Sequence, residues 1–342
     1  MIFNQVNRIF NNRYVIHKFL RNVHNEAPAK VLYPLKSRAL LKISGQESSS
    51  FLQGLITNDM KHFEEGAKSM YAMFLNNKGR VMYDTLIHKW DNEETFLIEC
   101  DKKLVNLLQK HLKIFKLKRK IEIEDVDKSF IMWALVHPDS DKIPDSTSNI
   151  NIYKDPRLAD LGFRIISSVA TTDSEILQMF GNNIVAKDTE EGYKYLRYKL
   201  GVSEGAEELP PGTCFPLEVN CDYLHGVSFH KGCYIGQEIT ARVHHTGVVR
   251  KRIMPIKFNQ SISENIEKDS VISASDKPKS NLGKLKGVMN DYGIGLIRIK
   301  EALDAKVLMV SKYSAEVIKP SWWPIEAPKE IIKSEYNKIN KN

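Results

Sequence analysis

The chain has 342 residues, 42% of them hydrophobic and 27% charged, which is an ordinary composition for a globular protein with room for two or three domains. No apolar run approaches the roughly 18 residues that a membrane-spanning helix needs, so the composition argues against integral membrane association. Four cysteines in a chain of this length do not make a disulfide framework and indicate a reducing compartment.

The net charge of +8 is concentrated at the N-terminus. Residues 1–30 contain five basic side chains and one acidic side chain, and their apolar residues recur at helical spacing. This basic amphipathic leader predicts a mitochondrial presequence, with a plain basic extension as the alternative. The remaining charge is dispersed, and the sequence has neither an arginine-rich stripe nor a zinc knuckle, so no nucleic-acid partner is predicted.

The first half of the chain is predicted to alternate strands with short helices. Residues 69–75 and 80–90 form a predicted hairpin because the asparagine- and glycine-containing segment 76–79 supplies its turn. A helix after Asp101 is predicted to bury one apolar face. The residues of that face are Leu104, Leu107, Leu108, Ile114 and Phe115. Further strands are predicted at 38–44, 95–100, 121–125, 130–136 and 161–166.

In the second half, residues 190–200 form a predicted helix that ends at Gly201. Residues 201–222 are rich in glycine and proline and are predicted to be irregular and surface-accessible. After Gly247, short strands at 248–258, 287–289, 294–299 and 306–310 predict a small β-barrel or sandwich. Because regular βαβ spacing is missing, an α+β fold is predicted, and the sequence has no nucleotide-binding glycine fingerprint.

Residues 231–238 read Lys-Gly-Cys-Tyr-Ile-Gly-Gln-Glu and contain the most informative side chain, Cys233. Gly232 and Gly236 flank it and permit backbone angles that other residues avoid, so the thiol is expected to be exposed. Basic side chains close in the sequence are expected to favour its thiolate. The competing interpretation is a half-buried cysteine that packs in a glycine turn.

Three kinds of chemistry are open to this thiol. Cys214, Cys221 and Cys233 lack the close Cys-x-x-Cys spacing of a structural zinc site. A nucleophilic pair with His244 or His245 has no further support in the sequence. A single thiolate can instead supply one ligand of an iron–sulfur cluster shared with a partner protein, since thiolate is the usual ligand of such clusters.

Asp84 is the second candidate for a functional residue. It lies in the apolar run that forms the second strand of the predicted hairpin. A carboxylate in such a run either faces solvent or is held in a pocket, and the alternation of the strand favours the solvent face.

The segment 231–242 carries a family resemblance. Its first eight residues, followed by Thr240-Ala241-Arg242, resemble the signature of the folate-binding YgfZ proteins. These are relatives of the glycine-cleavage T-protein, an aminomethyltransferase. The resemblance covers about residues 35–325, and weaker motifs follow in the expected order: Phe51-Leu52-Gln53-Gly54, Thr57-Asn58-Asp59, Asn77-Lys78-Gly79-Arg80 with Asp84, Asp155-Pro156-Arg157 and Pro216-Leu217-Glu218.

The resemblance implies an α+β, T-protein/YgfZ-like fold with three subdomains around a central folate-type cavity, which in relatives takes tetrahydrofolate. The implied organisation is a presequence at 1–30 and an aminomethyltransferase-like folate-binding region of two interleaved α+β subdomains at 31–245. A C-terminal β-barrel at 246–327 and a flexible basic tail at 328–342 follow. The residues implied for tetrahydrofolate binding are Asp84, Asn58 and Glu204.

Together with the leader, the resemblance implies the mitochondrial branch of the family, whose members act late in iron–sulfur biogenesis, in making 4Fe–4S proteins. The implied location is the matrix and the implied partners are A-type scaffold proteins. Cys233 matches the family's functional cysteine and would supply one ligand of a transient 2Fe–2S cluster shared with the partner. Lys231, His230 and Arg242 would tune the thiol or complement an anionic cluster. The signature residues around the thiol are Lys231, Gly232, Tyr234, Gly236, Gln237, Glu238 and Arg242.

Two departures from the transferases argue against turnover chemistry. Relatives that transfer aminomethyl groups have an acidic residue in place of Cys233, and Glu204-Gly205 lies one position out of register with their pterin-binding glutamate. An assembly factor without enzymatic activity is therefore predicted. One alternative is a tetrahydrofolate-dependent aminomethyl or one-carbon transferase, in which Asp84 orients the substrate amine. The other is a folate-sensing interaction protein, in which Cys233 is structural.

Overall fold

The computed structural model describes residues 30–324 apart from 91–93, 138–143, 182–183, 263 and 265. The predicted tail, and all but the last residue of the predicted presequence, lie outside these ranges. The described chain is mixed α+β, as predicted. Its strands are β1 (Lys30–Pro34), β2 (Arg38–Ser44), β3 (Ser69–Leu75), β4 (Val81–Lys89), β5 (Thr95–Asp101), β6 (Glu122–Asp125), β7 (Phe130–Val136), β8 (Ile150–Lys154), β9 (Phe163–Ser168), β10 (Ile184–Ala186), β11 (Lys251–Phe258), β12 (Val271–Ala274), β13 (Gly283–Met289), β14 (Tyr292–Arg298), β15 (Leu308–Val310) and β16 (Tyr313–Val317).

The described helices are mostly short. They are α1 (Ser48–Gln53), α2 (Lys61–Glu64), α3 (Val105–Lys116), α4 (Asp173–Met179), α5 (Glu191–Leu200), α6 (Gln237–Thr246) and α7 (Ile299–Asp304). Helix α5 ends where predicted, because Gly201 adopts a left-handed conformation with φ +74° and caps the last turn. Within the described ranges, no helix has the length and apolarity needed to cross a membrane.

Three sheets organise the chain. The strand order of the first sheet is β10-β1-β7-β9-β8, and that of the second is β3-β4-β5-β2-β6. The two interleave along the sequence because the chain leaves the first sheet after β1, builds β2 to β6, and returns at β7. The third sheet is a closed six-stranded barrel ordered β11-β14-β13-β12-β15-β16, which confirms the predicted β-barrel.

The second sheet is buried on both faces, and this decides where Asp84 lies. Leu86 joins the hydrophobic core shared with the first sheet, whereas Ile87 joins the core beneath α3. Because strand side chains alternate, Asp84 lies on the same face as Leu86, toward the first sheet. It is 3% exposed. The prediction that the strand alternation places Asp84 in solvent was therefore wrong.

Helix α3 buries only part of the predicted face, because Leu108 is buried but Leu107, Ile114 and Phe115 are exposed. Its buried residues are Val105, Leu108 and Leu112, at the i, i+3, i+7 spacing of a helical stripe. Leu107 and Ile114 lie about half a turn away from that stripe and are exposed. Sequence periodicity alone did not distinguish the two apolar stripes of this helix, and packing against the sheet selected one of them.

The segment 201–222 is irregular, as predicted, but most of it is buried. Leu209, Cys214 and Val219 belong to the same core cluster as Ile253 and Ile294 of the barrel. The prediction of surface accessibility was wrong because this segment packs between the barrel and the two open sheets instead of crossing the surface.

Candidate functional site

The signature segment is tied to the loop after α1 by a buried ammonium group. Lys231 Nζ donates hydrogen bonds to the carbonyl oxygens of Gln53 at 2.7 Å and Ile56 at 2.8 Å. A third bond at 2.6 Å reaches the carbonyl oxygen of Asn58. Burial lowers the pKa of Lys231 to about 8. Since all three N–H donors are used within the chain, Lys231 positions the segment, and the expectation that it also tunes the thiol or complements an anionic cluster stays a prediction.

Gly236 holds the other end of the segment against the β3–β4 hairpin. It precedes α6 in a left-handed conformation with φ +80°. A Cβ atom there would lie 2.9 Å from the Cβ atom of Leu75 and closer still to the carbonyl oxygen of Asn76. Gly232, in contrast, has open space where its Cβ atom would be. The expectation that both glycines are needed for backbone conformation therefore holds for Gly236 alone.

This difference gives a matched pair of variants. Gly236→Ala is expected to lower the free energy of unfolding by about 2–4 kcal/mol, because it combines a strained φ with a clash against backbone. Gly232→Ala is expected to change it by less than about 0.5 kcal/mol. Urea unfolding followed by circular dichroism measures both, and equal losses in the two variants would contradict this account of the segment.

Cys233 lies between these two anchors and is exposed, as predicted. The backbone after it is fixed, because the Ile235 N–H donates to the Gly54 carbonyl at 3.1 Å. The Tyr234 N–H donates to Gln237 Oε1 at 3.2 Å. Within the described chain the thiol itself has no hydrogen-bond partner. The arrangement presents an unengaged sulfur on a rigid support.

The other three cysteines are buried. Burial raises the pKa of the Cys214 thiol to about 12 and raises the pKa values of Cys100 and Cys221 further. These thiols remain protonated at neutral pH and are enclosed by the core, so they are poor nucleophiles and poor metal ligands. Cys233 is the one cysteine of the sequence that a partner molecule can reach.

The first part of α6 exposes charged side chains next to the segment. Glu238 and Arg242 are both exposed. Further along, the His244 ring stacks on Phe229 with 3.5 Å between ring centroids, and His245 packs against it edge-on at 5.1 Å. Partial burial, followed by the neighbouring His245, lowers the pKa of His244. Among the residues that the structure describes, no group of three or more His, Cys, Asp or Glu side chains could hold a metal ion.

Asp84 lies in a buried cluster of acidic and basic side chains. Its Oδ2 pairs with Arg38 Nη1 at 3.3 Å, and its Oδ1 accepts the Gly205 N–H at 3.1 Å. Burial raises the pKa of Asp84, and the Arg38 guanidinium opposes this shift. Both carboxylate oxygens are thus occupied by groups of the same chain.

Glu204 is the centre of the same cluster. Its Oε2 pairs with Arg157 Nη1 at 2.8 Å and with Arg164 Nη2, while Oε1 lies 3.7 Å from Arg197 Nε. Burial acts to raise the pKa of Glu204, but Arg164 and Arg157 hold it well below its usual range. Glu204 is thus an ionised carboxylate whose charge is neutralised by arginines from the loop after β8, from β9 and from α5.

Sequence reasoning missed most of this cluster. Glu99 accepts from Arg38 at 2.9 Å and lies 3.5 Å from Arg164. Burial raises its pKa, but these arginines bring it down to about 2. The sequence does contain a signal for the cluster, because arginines occur inside strands whose other residues are apolar. A charged side chain that is buried in such a strand needs a partner of opposite charge. The cluster members not predicted as site residues are Arg38, Glu99, Asp155, Arg157, Arg164, Arg197 and Glu208.

The three residues implied for tetrahydrofolate do not converge on one open cavity. Glu204 borders a cavity of about 260 Å³ whose walls are mostly charged, whereas Asn58 borders a separate cleft of about 350 Å³. The Asn58 amide already donates to the Tyr71 and His225 carbonyls at 2.8 Å each. Small-molecule sites are typically about 300–1,000 Å³ and mainly apolar. Because the carboxylates of Asp84 and Glu204 are paired within the chain, neither is free to bind a folate in this arrangement, and tetrahydrofolate binding stays a prediction.

Comparison with known proteins supports the same architecture. Two family models match the chain: the GCVT N-terminal domain at residues 14–163 and the CAF17 C-terminal beta-barrel domain at residues 250–325. The glycine cleavage system aminomethyltransferase T of Bartonella henselae superposes with a TM-score of 0.67, at 12% identity over 86% of each chain. At that identity the likeness concerns the fold, and it confirms the predicted aminomethyltransferase-like architecture.

Curated relatives extend over most of the chain. The mitochondrial iron–sulfur cluster assembly factor IBA57 of Mus musculus is 33% identical over 318 residues, covering 86% of both chains. The Homo sapiens protein of that name is 32% identical over 85% of both, and the Dictyostelium discoideum homologue is 30% identical over 76% of this chain and 71% of its own. These relatives confirm the predicted mitochondrial location. The chain belongs to the IBA57 family of mitochondrial iron–sulfur cluster assembly factors.

Proposed function

We propose that the protein acts in the mitochondrial matrix as a late factor in the maturation of 4Fe–4S proteins, with A-type scaffold proteins as partners. In this proposal Cys233 supplies one thiolate ligand to a 2Fe–2S cluster that the scaffold also binds. The observation that carries the proposal is the contrast between one exposed, rigidly supported thiol and three enclosed ones.

The chemistry of such a site follows from its incomplete ligand set. A 2Fe–2S cluster takes four protein ligands, whereas the described chain offers one exposed thiol and no group of three or more His, Cys, Asp or Glu side chains that could hold a metal. A cluster held here would therefore need its remaining ligands from the scaffold. A ligand set divided between two proteins favours transfer of the cluster over storage. The cluster is the cargo of this reaction and not a resident cofactor.

The buried ion cluster supports assembly over one-carbon transfer. A carboxylate that orients or deprotonates a substrate amine must be reachable by that amine. Asp84 is bonded to Arg38 and to the Gly205 backbone, and it is almost fully buried. In the described chain Asp84 is therefore not free to orient a substrate amine, as the transferase alternative requires.

The proposal is tested by expressing variants of the protein in cells that lack it. In cells lacking the protein, the wild type and Cys214→Ala are expected to restore the activity of mitochondrial 4Fe–4S enzymes. Cys233→Ser is expected to lower those activities by about tenfold or more at equal protein abundance. Enzymes that contain only 2Fe–2S clusters serve as the internal control. Full 4Fe–4S activity with Cys233→Ser would remove Cys233 from the mechanism.

A further inference from the structure

The outward face of α3 combines exposed apolar side chains with lysines. Leu107 is 47% exposed, Ile114 is 70% exposed and Leu117 is 85% exposed. Leu107 and Ile114, at i and i+7, lie on the side of the helix opposite its buried residues, and Leu117 directly follows the last helical residue. Single exposed apolar residues are normal, but three on one helix and the residue that caps it indicate a surface that something covers.

The stripe ends in an unusual backbone conformation. Leu117 directly follows α3 with φ +50° and ψ −122°. Few residues other than glycine, and rarely those with bulky side chains, adopt a positive φ. Here the conformation carries a large apolar side chain at the tip of the helix into solvent. The result is a convex apolar projection and not a groove.

The same segment is strongly basic. Between Asp101 and Glu122 the sequence contains no acidic residue. Arg119 lies 3.9 Å from Glu47, whereas the described chain gives the other cations at the end of the helix no ion-pair partner. Those cations are Lys110, Lys113, Lys116, Lys118 and Lys120. We call the surface formed by Leu107, Lys110, Lys113, Ile114 and Leu117 the basic apolar face.

We propose that the basic apolar face binds the surface of an anionic lipid bilayer. Apolar residues on the outer side of a basic helix suit the boundary between headgroups and acyl chains. The lysines beside them have long aliphatic stems that keep their ammonium groups at headgroup level, and each such cation strengthens binding to an anionic surface. A partner protein would need a groove around Ile114 and Leu117, whereas a bilayer accepts a convex projection.

This attachment is peripheral and independent of the thiol. The buried side of α3 packs into the core cluster that Ile235 of the signature segment also contacts. The face and Cys233 therefore belong to one rigid part of the molecule. Binding through the face would hold the thiol at a membrane surface without engaging it.

Hydrogen–deuterium exchange, measured on the full chain mixed with vesicles, tests the proposal. Because exchange is followed segment by segment, binding by the basic leader is distinguished from binding by the basic apolar face. Vesicles of phosphatidylcholine with cardiolipin are expected to slow the exchange of residues 105–121, and vesicles of phosphatidylcholine alone are not. Flotation assays are expected to show that Ile114→Ser with Leu117→Ser weakens binding by about tenfold or more. Lys110→Gln with Lys113→Gln is expected to weaken it to a similar degree at low salt.

Matched controls lie on the barrel. Val271→Ser with Val307→Ser, and Lys277→Gln with Lys279→Gln, change exposed apolar residues and exposed lysines away from α3. They are expected to alter vesicle binding by less than about twofold. The proposal is overturned if residues 105–121 gain no protection, if neutral vesicles protect them equally, or if the face variants bind like their controls. It is also overturned if an acidic protein protects this face and cardiolipin vesicles do not.

Discussion

Replacing Glu204 with glutamine is expected to lower the free energy of unfolding by about 3–5 kcal/mol, because breaking a buried ion pair leaves uncompensated charge in the interior. Arg157 and Arg164 pair directly with this carboxylate, and Arg197 lies 3.7 Å from it. Glutamine preserves the volume and one acceptor oxygen while it removes the negative charge. Urea unfolding at neutral pH measures the loss.

Glu207 provides the control on the same loop. It pairs with Lys103 at 2.6 Å and with Lys194 at 3.5 Å, but its side chain is 62% exposed. Glu207→Gln is expected to cost at most about 1 kcal/mol, because solvent screens the pairs. Similar losses for Glu204→Gln and Glu207→Gln would show that the buried cluster does not stabilise the fold.

The stabilisation by Glu204 should also depend on pH. Its pKa in the folded protein lies well below the ordinary value of 4.5. Below a pH of about 4.5, the Glu204 carboxylate therefore binds a proton in the unfolded chain but not yet in the folded protein. The stabilisation that Glu204 contributes is complete above that pH and is lost progressively below it. The difference in unfolding free energy between wild type and Glu204→Gln should accordingly narrow in acid.

The architecture could be predicted largely from local patterns. Strand β2 and the turn that joins β3 to β4 lie where alternation and turn residues predict them. The end of α5 at Gly201 follows from the need for a left-handed cap. Strands β1 and β10 were not predicted, because they are short and are stabilised by pairing with strands distant in the sequence: β1 pairs with both β10 and β7.

The candidate site was less predictable, because its decisive contacts join residues far apart in the sequence. The exposure of Cys233 follows from its setting in the segment. The role of Lys231 does not, since its three acceptors lie more than 170 positions away. The same holds for Asp84, whose neighbours come from β2 and from the loop at Gly205. Local periodicity carries no information on such pairs.

Cys233→Ser is expected to abolish the cluster-bridged complex with the scaffold while leaving the fold intact. The side chain is exposed and has no hydrogen-bond partner within the described chain. The change in unfolding free energy should therefore stay within about 0.5 kcal/mol. Serine is nearly isosteric, but its hydroxyl is a poor ligand for iron compared with a thiolate. Cys214→Ala is the matched control, because it removes a thiol that is enclosed by the core.

The most direct test of the shared-cluster mechanism is anaerobic mixing with an A-type scaffold loaded with a 2Fe–2S cluster, followed by visible absorption and native mass spectrometry. Wild type and Cys214→Ala are expected to form a complex of the two proteins whose mass includes one cluster and whose absorption differs from that of the scaffold alone. Cys233→Ser is expected to leave the cluster on the scaffold, with no ternary mass. The same cluster-containing complex with Cys233→Ser would contradict the account.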